Sequence, residues 1–383
     1  MKILLVGGTG VLSSAVVTEA RARGINVTTI TRGNRNLPQG VNNIVCDKDN
    51  YEQISKLIDD KYDAIIDFLC LTAYDVEKSY LFYSQYTAQY FFISSCAVYD
   101  SRTGICSEDA PKMLPMWRYS VDKWAAEEKL CELAKTTSSN YTIVRPCVTY
   151  DNTRIPYGIS PKYGYHWTLC ARILAEKPII TWNNGVNKCN MMRVEDFAVG
   201  LVGLIGNKKA YNETFNICGD ETPSFEEVLS VIELYLKKKI NRVDIPSEFY
   251  AKHIPNRKGE LLGGRSINTI NSNAKIKSVV PDFQQTIFIK EGIFATLDAY
   301  VSQNYQHGID WAFDAETDRT IYDWCKKQGL PTQQYKIGFV DYLHNATIHD
   351  RWCYYSVFYR DLVWMKILTR VRNVTSRLLT CSK

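Results

Sequence analysis

Tyr119 and Lys123 stand four residues apart, the spacing that places two side chains on one face of a helix. A free phenol ionises near pH ~10, and an ammonium beside it favours the phenolate, so such a pair can exchange protons with a substrate hydroxyl nearer neutrality. Spacing alone does not select this pair. Tyr74/Lys78, Tyr235/Lys239 and Tyr322/Lys326 repeat it in a chain with 25 tyrosines. Context separates them, because only Tyr119 opens a helix that follows a strand-like run ending in hydroxyls, Phe91-Phe92-Ile93-Ser94-Ser95-Cys96-Ala97-Val98-Tyr99. In a parallel sheet, residues just past a strand's C-terminal end line the ligand crevice. Ser95 is then a hydroxyl within reach of both a substrate oxygen and the tyrosine; the plainer reading is a serine capping a strand end.

A second constellation lies at the N-terminus. Gly7-Gly8-Thr9-Gly10-Val11-Leu12-Ser13 sits directly between an apolar run and a helical pattern. In a dinucleotide site Gly7 permits the tight turn, Gly10 lets backbone approach a pyrophosphate, and the helix N-terminus offers N–H groups to the phosphates. The third fingerprint position is Ser13 rather than glycine, still small enough for helix and strand to touch. A glycine-rich turn without a ligand is the alternative. The second apolar run ends at Thr31-Arg32-Gly33, with Arg35 close by. An acid placed here would bind a free ribose 2′-hydroxyl and repel a 2′-phosphate, whereas a guanidinium pairs with that phosphate. Arg32 thus favours NADP over NAD, unless it is simply a surface arginine. Asp47 is placed to meet the adenine amine. Thr9, Val11 and Leu12 of the turn, with Phe68 and Pro146 at later strand ends, complete the candidate cofactor set.

These residues need a scaffold, and the first half of the chain supplies one. Residues 3–6, 26–30, 43–46, 64–68, 90–94 and 142–145 read as strands, and 14–23, 51–59, 76–85 and 119–134 as helices. Such alternation implies an α/β fold with a doubly wound parallel sheet and right-handed crossovers. Beyond about residue 150 it loosens. Pro156, Gly158, Pro161 and Gly164 mark an irregular entry. Helices are expected near 166–175, 195–206 and 225–239, and an extended segment over 210–217. The expected organisation is a dinucleotide-binding domain over 1–150 with return elements near 190–220, a smaller, partly interleaved domain over 151–300, and a helical extension over 301–383.

Composition bounds the rest. The chain has 383 residues, 45% apolar and 23% charged, which suits a folded protein with a sizeable core and excludes disorder as its main state. A formal net charge of +5 over that length is too weak to argue for nucleic acid. No run approaches the length of a membrane span, and mean hydropathy is −0.23. The first strand breaks at Gly7-Gly8, too early for a signal peptide. Twelve scattered cysteines without a Cys-x-x-Cys fit reduced thiols in a cytoplasmic protein, with no metal site. Residues 345–383 interleave aromatic and basic side chains. They are read first as a helix packing onto the protein or a dimer mate, because apolar stripes are usually buried, and alternatively as a helix for a membrane surface or protein partner.

Together the motifs resemble the extended short-chain dehydrogenases/reductases, the branch of nucleotide-sugar epimerases, dehydratases and reductases. The Gly7-x-x-Gly10 turn, the stretch Ser94 to Tyr99 and Tyr119-x-x-x-Lys123 occur in that family's order. Arg145-Pro146, Arg193-Val194-Glu195-Asp196, Phe215-Asn216 and Arg257-x-Gly259-Glu260 resemble later landmarks, and coverage extends to about residue 300. The resemblance implies Ser95, Tyr119 and Lys123 as catalytic residues, with Lys123 also on the nicotinamide ribose, and hydride transfer to or from a sugar carbon. It implies a nucleotide-sugar substrate met by Ser95, Cys96, Tyr119 and Arg257, and a homodimer paired through the Tyr119 helix and the helix before it. An epimerase is the leading expectation and an NADPH-dependent keto-sugar reductase the alternative. A non-catalytic RNA-binding or redox-sensing protein is the rival of another class. Two departures stand out. The 4,6-dehydratases carry Asp-Glu where this chain has Cys96-Ala97, and epimerases often carry an arginine where Cys189 stands.

Overall fold

A computed structural model of the chain describes all residues except 59–60, 113–114, 304, 306–307, 333–345 and 381–383, and only the backbone of 373–380. The first half runs β1 (Lys2–Val6), α1 (Val11–Ala22), β2 (Asn26–Thr31), β3 (Asn42–Val45), α2 (Tyr51–Leu57), β4 (Ala64–Asp67), α3 (Ala73–Tyr83), β5 (Gln89–Ile93), α4 (Arg118–Leu133) and β6 (Asn140–Pro146). The chain continues through β7 (Val148–Tyr150), α5 (Trp167–Leu174), β8 (Ile179–Thr181), β9 (Met191–Arg193), α6 (Val194–Gly203) and β10 (Glu213–Ile217). Seven of these strands form one sheet in the order β10-β6-β5-β4-β1-β2-β3, and every neighbouring pair is parallel. The doubly wound α/β expectation holds.

Strand β1 shows why its residues are apolar without alternation. Ile3 and Leu5 pack with Val16 and Val17 of α1 and with Phe197 and Leu201 of α6. Leu4 and Val6 point the other way, onto Ile54 of α2, Val76 and Tyr80 of α3, and Ala126 and Leu130 of α4. A sheet covered on both faces requires apolar side chains at every position. The order reverses beside β1, since β2 lies on one side and β4 on the other. That switch point opens a crevice at the C-terminal ends of the strands.

Helix ends follow local chemistry. Helix α1 begins three residues earlier than its apolar periodicity suggests, because Gly10 caps it and the Ser13 Oγ accepts the Gly10 N–H at 2.9 Å. The Thr72 hydroxyl accepts the Asp75 N–H at α3, while Asp75 accepts the Thr72 N–H, a reciprocal cap.

Beyond the sheet lie α7 (Phe225–Leu236), β11 (Arg242–Asp244), α8 (Ser247–His253) and α9 (Lys258–Glu260), which runs into a π-helical turn over Leu261–Arg265. Helix α7 stops short of the expected Lys239 because Lys237 turns left-handed at φ 51°, so Tyr235 and Lys239 share no helix face. Then come α10 (Ala274–Val279), α11 (Ile289–Ser302), α12 (Trp311–Lys327), α13 (Ile348–Phe358) and α14 (Val363–Thr380). Trp182, Phe225, Leu229, Leu297 and Tyr300 form a second apolar core, to which α12 contributes Ile321 and Cys325. Beside it, buried Arg172 pairs with Asp314 and Asp318 of α12, and Lys177 meets the same two carboxylates at 2.6 Å. Helix α13 joins through Tyr354, whose hydroxyl donates to Asp318 at 2.8 Å. Stripping one partner from such a fully buried cluster costs ~3–5 kcal/mol, so α12 is held by charge as well as by packing.

Candidate active site

At the switch point lies a cavity of about 810 Å³, walled by the Gly7–Ser13 turn and the ends of β2, β3 and β4. Gly7 has φ +86°, in the left-handed region that only glycine enters freely. A Cβ on Gly8 would stand 2.6 Å from the Thr29 Cγ2. The turn's backbone is therefore drawn flush against β2, with open space above it. Gly8 was not among the expected site residues. Its signal, a second glycine in the turn, was visible but unassigned.

Gly7, Thr9, Gly10, Val11, Leu12, Thr31, Arg32, Arg35, Asp47 and Phe68, all expected around a dinucleotide, line this cavity. Their tasks differ. Arg32 is exposed at the lip. Arg35 donates from Nη1 to the Thr9 carbonyl at 2.9 Å and stands 5.8 Å from the Tyr163 ring, so it braces the glycine turn. The Thr31 hydroxyl donates to the Asn43 Oδ1 at 3.0 Å. Lys48 and Asp49, which sequence reasoning passed over, stand beside Asp47 and pair at 2.7 Å.

A second cavity of about 510 Å³ adjoins the first and shares Leu12, Phe68, Ile93 and Arg154 with it. Ser95, Cys96, Tyr119, Lys123 and Pro146 line it. Tyr119 sits in the first turn of α4 with 38% of its surface open. Its ring lies 5.6 Å from that of Trp117. Trp117 is in turn gripped by the α9 region, where a Cβ on Gly264 would come within 2.9 Å of the indole and one on Gly259 within 2.6 Å of the Met116 carbonyl. The Ser95 Oγ accepts the Ala97 N–H at 3.1 Å, which leaves its proton for the phenol. Lys123 is buried, its Nζ donating to the carbonyls of Cys70 at 2.7 Å and Ile93 at 2.8 Å.

The electrostatics correct one expectation. Burial holds the Tyr119 phenol above its ordinary range, and the largest opposing influences are the Ser95 hydrogen bond, then the charges of Arg154 and Arg265. Lys123 was expected to do that work. Instead burial brings the Lys123 ammonium down to about 8, against the pull of Cys70, Asp67 and Glu127. The Cys96 thiol is pushed well up by burial and donates to the Arg145 carbonyl at 3.2 Å, so it has no nucleophilic character.

A buried network fixes these elements beneath the cavity. Glu127 of α4 accepts from the Arg145 Nε at 2.9 Å and from the Ser94 hydroxyl. The Arg145 Nη1 donates to Tyr99, whose hydroxyl donates to the Asn216 Oδ1 at 2.6 Å. Strands β5, β6 and β10 are thereby tied to α4, and Ser95 is held in fixed relation to Tyr119. Such networks rigidify when every member is satisfied.

Arg257 is not where it was expected. Its Nε donates to Glu260 at 3.1 Å and its Nη1 to the Ser160 carbonyl, and it lies outside the residues lining the cavity. The cavity's arginines are Arg154 and Arg265, neither anticipated. Arg265 reaches Glu260 only at 3.3 Å. The Arg154 guanidinium has no hydrogen bond or ion pair among the described residues, and burial and Arg265 both press its pKa down. Two guanidiniums facing one cavity call for an anion. Among the described residues, no group of His, Cys, Asp and Glu could hold a metal.

Comparison with known proteins agrees with this geometry. The model of a family described as the NAD dependent epimerase/dehydratase family matches residues 3–218. The chain is 26% identical over 248 residues to the chloroplast stem-loop binding protein of 41 kDa b of Arabidopsis thaliana, covering 59% of this chain and 60% of that one. It is 25% identical over 217 residues to an uncharacterized UDP-glucose epimerase, YtcB, of Bacillus subtilis, covering 57% and 61%. The chain thus matches 60–61% of the length of these curated relatives. Among solved structures, UDP-glucuronic acid 4-epimerase from Bacillus cereus superposes with a TM-score of 0.62 at 19% identity, covering 80% of this chain and 100% of that one. MoeE5 in complex with UDP-glucose and NAD gives 0.63 at 18%, covering 79% and 100%. At such identities the likeness is one of fold.

Proposed function

The chain belongs to the NAD dependent epimerase/dehydratase family, and from that premise we propose that it is an NAD(P)-dependent epimerase of a nucleotide-activated sugar. One observation carries the reading: Ser95, Tyr119 and Lys123 converge on a cavity that shares a wall with the glycine-turn cavity and faces two arginines. The glycine turn fits a dinucleotide, since backbone replaces side chains where a pyrophosphate would lie and a Cβ on Gly8 would collide with Thr29. When bound, the dinucleotide supplies reversible hydride chemistry at a sugar carbon.

The chain's own residues supply the proton chemistry and the positioning. Ser95, whose hydroxyl hydrogen-bonds Tyr119 and favours its phenolate, stands beside the reacting sugar oxygen; the Tyr119 phenolate takes that oxygen's proton, becoming the phenol, and returns it. Lys123, fixed by two carbonyls in the wall of the second cavity, keeps one N–H to orient the ribose. Arg154 and Arg265 hold the substrate diphosphate, the anion that their mutual repulsion favours. Cys96-Ala97 provides no carboxylate pair for eliminating water, which counts against a dehydratase. A keto-sugar reductase uses the same residues. NADP(H) is preferred to NAD(H) on the strength of Arg32, and a homodimer forms through α3 and α4, where Tyr74 and Leu81 are exposed.

The deciding experiment denatures the purified protein, identifies any released dinucleotide by mass, and screens nucleotide sugars for isotope exchange. Retained cofactor with exchange and no net oxidation supports the epimerase. Stoichiometric NADPH consumption replaces it with the reductase. A monomer at micromolar concentration by sedimentation rejects the dimer.

The Arabidopsis relative's printed name gives one specific reason for a second reading, a stem-loop RNA-binding protein. Salt-dependent RNA retention by the wild type, unchanged in Tyr119→Phe and without sugar turnover, would establish it.

A further inference from the structure

The acidic and basic residues of positions 1–361 balance, and the entire formal charge of +5 lies on residues 362–383, which hold five Lys or Arg and no acid. Asp361 ends the balanced part and is itself tied to Arg319 at 3.1 Å. Helix α14 starts just beyond it, at Val363. Its inner face is brief: Met365 is buried, and Arg372 stands 5.3 Å from the Trp352 ring of α13. The outer face is apolar and open. Val363 is 73% exposed, Trp364 50%, Ile367 54% and Leu368 44%.

At ~100° per residue, those four side chains span an arc of ~140°, and Lys366 and Arg370 border it on the Val363 side. Both basic residues are exposed. Helix α13 shows the contrast, since its Tyr354 is buried against α12. Of the expected packing of residues 345–383 onto the protein or a dimer mate, α13 makes the contact with the protein, whereas α14 leaves its outer face uncovered within one chain; residue 345 and residues 381–383 lie outside the described residues, as do the side chains of 373–380.

We propose that α14 is an interfacial helix that docks the protein on an anionic lipid surface. An exposed apolar stripe bordered by cations matches a surface that offers hydrocarbon below and negative charge above. Trp364 has the amphipathic ring that settles at the level of lipid headgroups. A protein groove would cover the stripe equally well but gives no reason for the exposed cations Lys366 and Arg370 to border it. No helix among the described residues is long and apolar enough to cross a membrane, so α14 lies in the interface plane.

The test uses the full chain and vesicles of phosphatidylcholine with or without phosphatidylserine, followed by co-sedimentation. Wild type should bind the phosphatidylserine vesicles at least ~10-fold more strongly than the neutral ones and lose that preference in high salt. Val363→Glu with Ile367→Glu, and separately Lys366→Glu with Arg370→Glu, should each abolish binding while thermal unfolding stays unchanged. Should the first pair misfold, the charge reversal decides alone, because Lys366 and Arg370 are surface residues. Equal binding by wild type and folded variants overturns the proposal. So does a dimer that Val363→Glu/Ile367→Glu converts to monomer without any vesicle binding, which would assign the stripe to a second copy of the chain.

Discussion

The two cavities share a wall at Leu12, Phe68, Ile93 and Arg154, yet they are built from different material. The first owes its floor to backbone. One continuous turn, Gly7–Ser13, lies flat because its glycines stand where a Cβ would strike Leu69 or Thr29. The second is walled by side chains delivered from separate stretches of chain: Ser95 after β5, Tyr119 and Lys123 on α4, Arg154 beyond β7, Glu260 and Arg265 at the π-helical turn. Backbone amides recognise a group that many ligands share, such as a phosphate. Side chains can change one at a time and so carry selectivity. The first cavity should therefore fail by steric filling and the second by loss of single groups.

The sharpest break is expected at the reacting atoms. Tyr119→Phe keeps the ring against Trp117 and removes only the hydroxyl, so dinucleotide affinity should stay within about twofold while turnover falls at least ~100-fold, the scale of one general acid/base. Near-wild-type turnover, measured in single-turnover assays, would take Tyr119 out of the mechanism. Gly8→Val is the counterpart in the first cavity. Its branched side chain must displace Thr29 or lift the turn, at ~1–3 kcal/mol, which should weaken dinucleotide binding ~10- to 100-fold in calorimetry. Unchanged affinity would show that the cradle is looser than its contacts imply.

Next in size is the substrate arm. Arg265→Ala removes a guanidinium that faces only the second cavity. A charge-assisted hydrogen bond contributes ~1.5–3 kcal/mol, so KM for the nucleotide sugar should rise about tenfold or more with dinucleotide affinity unchanged. Equal losses for both ligands would mean that the two cavities are not independent.

What could be read from the sequence divides along the same line. The strands of the sheet and the glycine turn are local: apolar runs, a turn that needs glycine and the helix after it can all be read in one window. The network partners Arg145, Tyr99 and Asn216 were visible through family-like pairs, but Glu127, which binds Arg145, carried no mark beyond its place on α4. Arg154 was illegible because it stands in irregular chain after β7, and Arg265 because the π-helical turn, packed through Gly259 and Gly264 on Met116 and Trp117, brings it rather than Arg257 to the cavity. Arg257 looked the better candidate until Glu260, three residues on, captured it. Lys123 teaches a related lesson. Spacing of four residues puts it on the Tyr119 face, but the tip of a long side chain goes where carbonyls satisfy it, and here those belong to Cys70 and Ile93.

Lys123 also gives a pH test that needs no ligand. Its folded pKa is depressed from 10.5 to about 8, so between those values the folded state binds fewer protons than the unfolded one. Stability from this group is therefore fully present above pH 10.5 and lost as pH falls toward 8. At 1.36 kcal/mol per unit of pKa shift, the rise across that window should be ~1–3 kcal/mol, read from urea midpoints. Lys123→Met should flatten the rise relative to wild type. An identical slope in both proteins would show that other groups carry it.

The smallest expected effect lies at the lip of the first cavity, where backbone construction gives way to a single side chain. Strand β2 ends at Thr31, whose hydroxyl is engaged with Asn43 and Gly33, and no acid comes after it to bind a free 2′-hydroxyl or repel a 2′-phosphate. Arg35 is committed to the Thr9 carbonyl and Lys48 to Asp49, which leaves Arg32 as the cation beside the end of β2 that can meet a 2′-phosphate. A guanidinium–phosphate contact at an exposed lip is weakened by solvent, so the lower end of the ~1.5–3 kcal/mol range applies, about tenfold in affinity. NADP(H) should accordingly bind more tightly than NAD(H), and Arg32→Ala should erase that difference by weakening NADP(H) alone. Calorimetry on both proteins with both cofactors measures it. A wild-type preference for NAD(H), or equal losses in the variant, would mean that Asp47 and its neighbours, rather than Arg32, set the choice at this end of the crevice.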